Sequence, residues 1–190
     1  MPRDTSAVLE GRISVVSVYS GTWAEHQTLT FTAEGQNPGL QAAVSRSGGK
    51  AQMVDLNVEE NVLKAWLVRR FMGSLRRRKG GENWERYFLI RRGITDEMRD
   101  MMGLLNSRVG YVYLLDSRCR IRWAGSGRAE GGEREGLVKG VGRLLEERRL
   151  EEQGLTPITK GDEAKSDMFD GVERREPAIS HTIAAQAATA

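Results

Sequence analysis

The stretch Ser17-Val18-Tyr19-Ser20-Gly21-Thr22-Trp23-Ala24-Glu25-His26-Gln27 follows Gly11-Arg12-Ile13-Ser14-Val15-Val16. From Ile13 to Tyr19 the apolar residues Ile13, Val15, Val16 and Val18 fall in both parities, which predicts a strand covered on both faces. Beyond Tyr19 the pattern changes to an exposed loop carrying Trp23. The end of this strand offers Thr22, Trp23, Glu25 and His26, and no cysteine. What such a strand end can do without a thiol is the question the rest of the chain has to answer.

Working outward, Ala51–Val58 repeats the doubly covered pattern. Between the two strands, Asn37-Pro38-Gly39 supplies an N-cap and a proline at the first helical position, and Gly48-Gly49 closes the helix. A right-handed crossover between parallel strands is the default for this arrangement. Asn57 to Glu60 then predicts an N-capped helix whose ladder Leu63, Leu67, Phe71 and Leu75, flanked by Trp66 and Met72, forms a core stripe. Tyr87–Ile90 reads as a short strand. Thr95-Asp96-Glu97 opens a helix expected to bury Met98, Met101, Met102 and Leu105. Tyr111–Leu115, a turn at Asp116-Ser117-Arg118 and a returning strand predict a β-hairpin, with Ile121 and Trp123 on one face and Arg120 and Arg122 on the other. Cys119 is expected to begin that returning strand as a small half-buried residue. After the Gly-rich Gly125–Gly132 link, a last amphipathic helix from Glu133 to about Glu147 presents Leu137, Val141, Leu144 and Leu145. The division expected is an N-terminal tail over 1–12, one α/β domain over 13–150, and a polar, disordered tail over 151–190.

Composition narrows the function classes. A chain of 190 residues with 39% apolar content suits one domain with a sizeable core. Its one cysteine excludes an internal disulfide, a dithiol redox pair and a Cys-x-x-Cys zinc site. No apolar run reaches the roughly 20 residues that span a bilayer. The start, Met1 to Arg12, reads as carrying neither a signal-peptide core nor an amphipathic presequence. Net charge is only +3, yet between Asn61 and Arg92 ten basic residues stand against two acids. Arg69, Arg70, Arg76, Arg77, Arg78, Lys79, Arg91 and Arg92 belong to that run. With Trp23, Arg120 and Arg122 they make up the candidate surface for a partner or a membrane.

Catalytic constellations are thin. His26 and His181 are the two histidines, so no His-His or Cys-His metal set can be assembled. Glu25 and His26 are adjacent, and neighbouring side chains on a strand or loop point apart. The glycines of Gly125–Gly132 lack the Gly-x-Gly-x-x-Gly and Lys-Ser/Thr signatures of phosphate loops. No catalytic residue, cofactor or metal is expected.

Strands and helices in this order, closed by a hairpin and a helix, resemble the thioredoxin fold in the variety with an added helix and strand. That implies an α/β, thioredoxin-like domain with a central mixed sheet of about five strands, flanking helices and a C-terminal β-hairpin plus helix. Tyr87–Val138 and Leu56–Leu67 resemble a narrower group, the fungal mitochondrial ATP synthase (ATPase complex) subunit 10 family. The most specific pieces are Arg91-Arg92-Gly93, Gly110–Asp116 and Cys119–Gly127. The resemblance implies a non-catalytic assembly factor that binds newly made subunit 6 of the membrane sector. It places the protein peripherally on the matrix side of the mitochondrial inner membrane, near anionic lipid, with nucleic acid disfavoured as a partner. Thioredoxin-type chemistry needs a thiolate at the start of the first helix and a cis-proline before the strand at Tyr111. This chain has Thr22 and Trp23 at the first place and Gly110 at the second. The alternatives are a peroxiredoxin-like thiol reductase using Cys119, and an RNA-binding module that uses the basic run with Trp66 and Trp84.

Overall fold

The computed structural model describes residues 5–59, 70, 85–90 and 94–155. Five strands, β1 (Ile13–Tyr19), β2 (Ala51–Val58), β3 (Tyr87–Ile90), β4 (Tyr111–Leu115) and β5 (Ile121–Ser126), form one mixed sheet in the order β3-β2-β1-β4-β5. β1, β2 and β3 run parallel, while β4 is antiparallel to both β1 and β5. Parallel strands on one side, an antiparallel hairpin on the other and helices on both faces make the domain thioredoxin-like.

The central strand β1 is buried at every position, as its two-parity pattern demands. Ile13 and Val15 face a cluster built with Ala51, Val112 and Leu114 of the sheet, Phe31 of α2 (Gly21–Thr32), Leu40 of α3 (Pro38–Arg46), and Leu137, Val141 and Leu144 of α5 (Glu133–Glu152). Val16 and Val18 face a second cluster with Val54, Leu56, Phe88, Leu104 and Tyr113. Each fully buried side chain of this size stabilises by about 1.5–3 kcal/mol. α3 begins as its sequence dictates: the Asn37 side chain accepts from the Leu40 N–H and Pro38 takes the first turn.

Several local expectations are corrected. Gly21–Thr32 is a helix, α2, where the sequence pattern reads as a loop. Its buried positions Ala24, Thr28, Phe31 and Thr32 do have helical spacing. A stripe half made of threonine carries no apolar signal, and Ser20 makes no side-chain cap bond that would mark the start. α4 (Asp96–Met102), expected to bury four apolar residues, leaves Met98 45%, Met101 85% and Leu105 80% exposed. Met102 and the following Leu104 do the packing, and the Tyr113 hydroxyl donates to the Met102 carbonyl over 2.7 Å. Residues 1–12, expected as a tail, include α1 (Ser6–Leu9). Val8 and Leu9 pack on the second cluster, and buried Gln52 donates to the Val8 carbonyl over 2.6 Å. α5 continues to Glu152, past Glu147.

In the hairpin, Trp123 pairs with Leu114 but Ile121 pairs with Leu115, a register shift that uses an extra residue on β5. Ile121 and Trp123 therefore do not share a face. Trp123 packs on the first cluster edge-on to Phe31, at 5.8 Å between ring centroids, and Ile121 is exposed. Cys119 lies in the turn before β5, exposed and with φ of +59°, not half-buried in the strand. A non-glycine residue in that left-handed region costs roughly 1–2 kcal/mol, and the turn around Asp116 holds it there. The predicted helix over 57–75, with Leu63, Trp66, Leu67, Phe71, Met72 and Leu75, lies largely outside the described residues.

Candidate functional site

The parallel strands deliver their carboxyl ends to one edge of the sheet, and the question posed by Tyr19–Gln27 is settled there. Tyr19 is buried, and its hydroxyl donates to Glu25 one turn into α2. Burial, then the charges of Asp55 and Glu25, push the Tyr19 phenol far above its ordinary value. On the neighbouring strands the Asn57 amide donates to the Tyr87 hydroxyl over 2.9 Å. Tyr87 is also raised, chiefly by burial, against the opposing pull of that hydrogen bond. Both phenols stay protonated at neutral pH and serve as hydrogen-bonding struts rather than as bases. Glu25 thus turns inward, while His26, the next residue on the helix, is exposed. The structure does not bring the two together as an acid/base pair.

A thiol at the start of α2 would gain from the helix dipole. The residues present there are Thr22 and Trp23. Trp23 is 63% exposed and carries the Arg128 guanidinium 5.6 Å from its ring centroid. Facing them, Gly110 precedes β4 with a trans peptide and donates its N–H to Gln27 Oε1 over 2.8 Å. α2 therefore rests directly on the backbone at the position where a thioredoxin holds its proline. Cys119 sits at the opposite end of the sheet, beside the amino end of β1, where the Gly11 N–H donates to the Ser117 carbonyl. Partial desolvation by the surrounding turn and the charges of Glu10 and Asp116 push its thiol up, the reverse of what a nucleophilic cysteine requires.

Of the candidate contact residues, Arg70 is exposed. Arg69, Arg76, Arg77, Arg78, Lys79, Arg91 and Arg92 lie outside the described residues. Arg120 and Arg122 converge on one buried carboxylate. Arg120 Nε and Arg122 Nη1 reach Asp116 Oδ2 at 2.8 and 3.2 Å, and Arg122 also binds Glu147 of α5. Arg122, mostly buried, is paired on both sides within the fold, while the Arg120 side chain remains largely exposed at the surface. Sequence reading missed a cleft of about 230 Å³ at the carboxyl edge, between the end of β1 and the segment that follows α4. Its walls come from three separate stretches of chain, so no local signal could reveal it.

Comparison with known proteins matches residues 1–144 to the family model described as ATP10 protein. The mitochondrial ATPase complex subunit ATP10 of Eremothecium gossypii is 36% identical over 141 residues, covering 72% of this chain and 50% of that protein. The protein of the same name from Candida glabrata is 28% identical over 143 residues, covering 75% and 51%. The one from Saccharomyces cerevisiae is 32% identical over 106 residues, covering 54% and 37%. The chain thus spans about half the length of the curated relatives it matches first. Among solved structures, a secreted thiol-disulfide isomerase from Corynebacterium glutamicum aligns with a TM-score of 0.46 and 10% identity, covering 74% of each chain. A DsbF homologue from Corynebacterium diphtheriae aligns at 0.44 and 14%, covering 73% of this chain and 75% of its own. With the family model matched over residues 1–144, well over half of its length, the chain belongs to the ATP10 protein family.

Proposed function

We propose that this chain is a non-catalytic assembly factor of the mitochondrial ATPase complex, which holds newly made subunit 6 on the matrix side of the inner membrane. The observation that carries the reading is the family match over residues 1–144. The site chemistry supports it. The strand end that would carry a thiol presents Thr22 and an exposed Trp23, and Cys119 stands at the far end of the sheet with its thiol pushed up. A strand end without an activated nucleophile among the described residues suits binding rather than turnover. In cells lacking the protein, newly made subunit 6 is expected to be missing from the assembled complex on native gels. Both wild type and Cys119→Ser are expected to restore it. Normal assembly without the protein, or a folded Cys119→Ser that fails, would overturn the proposal.

The basic run is the part of the reading that concerns lipid. Each Lys or Arg close to an anionic membrane contributes about 1 kcal/mol. Reversing Arg76, Arg77 and Arg78 to Glu is therefore expected to abolish flotation with cardiolipin-containing vesicles. Wild-type flotation should also weaken with salt, because exposed charges are screened within about 10 Å at 0.1 M. Equal flotation of the two proteins would remove lipid docking from the proposal.

A further inference from the structure

We infer that the cleft at the carboxyl ends of β1 and β2 binds an uncharged, apolar peptide segment, anchored by one bulky side chain. The cleft lies on the sheet face opposite α2, α3 and α5. Its floor is apolar: Val18, Val58, Leu104 and Tyr111 all belong to or pack on the second cluster, and Val109 joins them. At about 230 Å³ it falls below the roughly 300–1,000 Å³ of sites that enclose cofactors and drug-sized ligands. It matches an anchor residue of a protein partner, the kind of buried apolar contact that dominates an interface.

The polar lining selects the ligand's charge. Glu59, more than nine-tenths buried, and half-buried Arg99 both line the cleft, and both are already engaged in polar interactions. With one charge of each sign in its lining, the cleft presents no excess charge to attract an anion or a cation. A peptide backbone is neutral and brings one donor and one acceptor per residue. Ser20, whose hydroxyl makes no cap bond to α2, and exposed Ser107 at the rim can meet both. The segment walling the cleft also exposes Met98, Met101 and Leu105 to solvent. Flexible, polarisable methionines suit apolar partners of varied shape. The inference deepens the assembly reading, since an unassembled membrane-sector subunit is a source of such segments. Peptide binding is measured on the isolated chain, however, and can fail while that reading stands.

The test uses the full chain and a dye-labelled peptide with a Leu-Phe-Leu centre between Gly-Ser ends, beside the same peptide with Asp or Lys in place of Phe. Fluorescence anisotropy is expected to show saturable binding of the first and at least tenfold weaker binding of both charged forms. Methyl NMR of the wild type should place the shifts at Val18, Val58, Leu104 and Val109, and leave Leu137 and Val141 of the opposite core unmoved. Ser107→Trp, which fills the cleft from its exposed rim, should weaken binding at least tenfold. Equal binding of the three peptides, shifts centred elsewhere, or full affinity in folded Ser107→Trp would each overturn the inference. Should Ser107→Trp fail to fold, the wild-type shift map decides alone.

Discussion

Gly110→Ala is expected to destabilise the domain by about 3 kcal/mol, the upper end of the overpacking range, although it adds a single methyl group. A Cβ at this position would land well inside contact distance of the Ala24 carbonyl oxygen and 2.7 Å from Thr28 Cγ2. The first obstacle is helix backbone near the start of α2, so no rotamer change can relieve it. Ala24 and Thr28 are both fully buried against the sheet, which leaves the helix no direction in which to retreat without opening the first core cluster. Gly110→Pro should cost more, because it also removes the N–H that Gln27 accepts. Urea denaturation monitored by tryptophan fluorescence measures both. Gly142→Ala is the control: a methyl group on this exposed glycine of α5 would meet nothing within 4 Å, and the replacement should stabilise by about 0.5–1 kcal/mol. If Gly110→Ala behaved like Gly142→Ala, α2 would not rest on β4 as described.

Asp116→Ala is expected to cost about 2–4 kcal/mol, between the loss of a buried hydrogen bond and the breaking of a buried ion pair. Asp116 is 5% exposed, and its carboxylate organises the whole hairpin turn. Oδ1 accepts from the backbone N–H of Arg118 and of Arg120, at 3.0 and 2.9 Å. Oδ2 accepts from the Arg120 and Arg122 side chains. Arg120 is 61% exposed, so its ion pair contributes little. Arg122 is 22% exposed and loses one of its two carboxylate partners, and together with the two stranded N–H groups it accounts for most of the cost.

The same carboxylate makes stability depend on pH. Burial pushes the Asp116 carboxyl up, but hydrogen bonds from Arg120, Arg118 and Arg122 outweigh it, and the net position is below the ordinary value of 3.8. The folded state therefore binds this proton less readily than the unfolded chain. The resulting stability is present in full above the unfolded value and is lost as pH falls through the folded one. Asp116→Asn, which keeps an acceptor for the backbone, should trail wild type by a constant amount above about pH 5, and the gap should narrow below about pH 4. A gap that stays constant into acid would show that the charge of Asp116 does not stabilise the hairpin.

Much of the architecture needed only local information. β1 and β2 are legible because burial on both faces demands apolar residues in both parities, and α3 because Asn37 and Pro38 supply cap and first turn. α5 shows its apolar stripe every three or four residues. The absence of a thiol at the start of α2 was likewise written in the sequence. Tertiary structure alone decided the rest. α2 has a buried face half made of threonine, so its helicity shows only where Gly110 lets it sit on β4. α4 carries a helical apolar pattern, but the sheet face beneath it accommodates Met102 and Leu104 and leaves Met98, Met101 and Leu105 outside. Arg120 and Arg122 read as free surface charge until the hairpin turn brings Asp116 beneath them. The cleft draws its walls from residues 18–20, 58–59 and 94–111. Periodicity reports how each segment divides its own side chains between apolar and polar faces. Which apolar face finds a neighbour, and which charge finds a counter-charge, depends on distances between segments far apart in the chain, and those exist only once the sheet has formed.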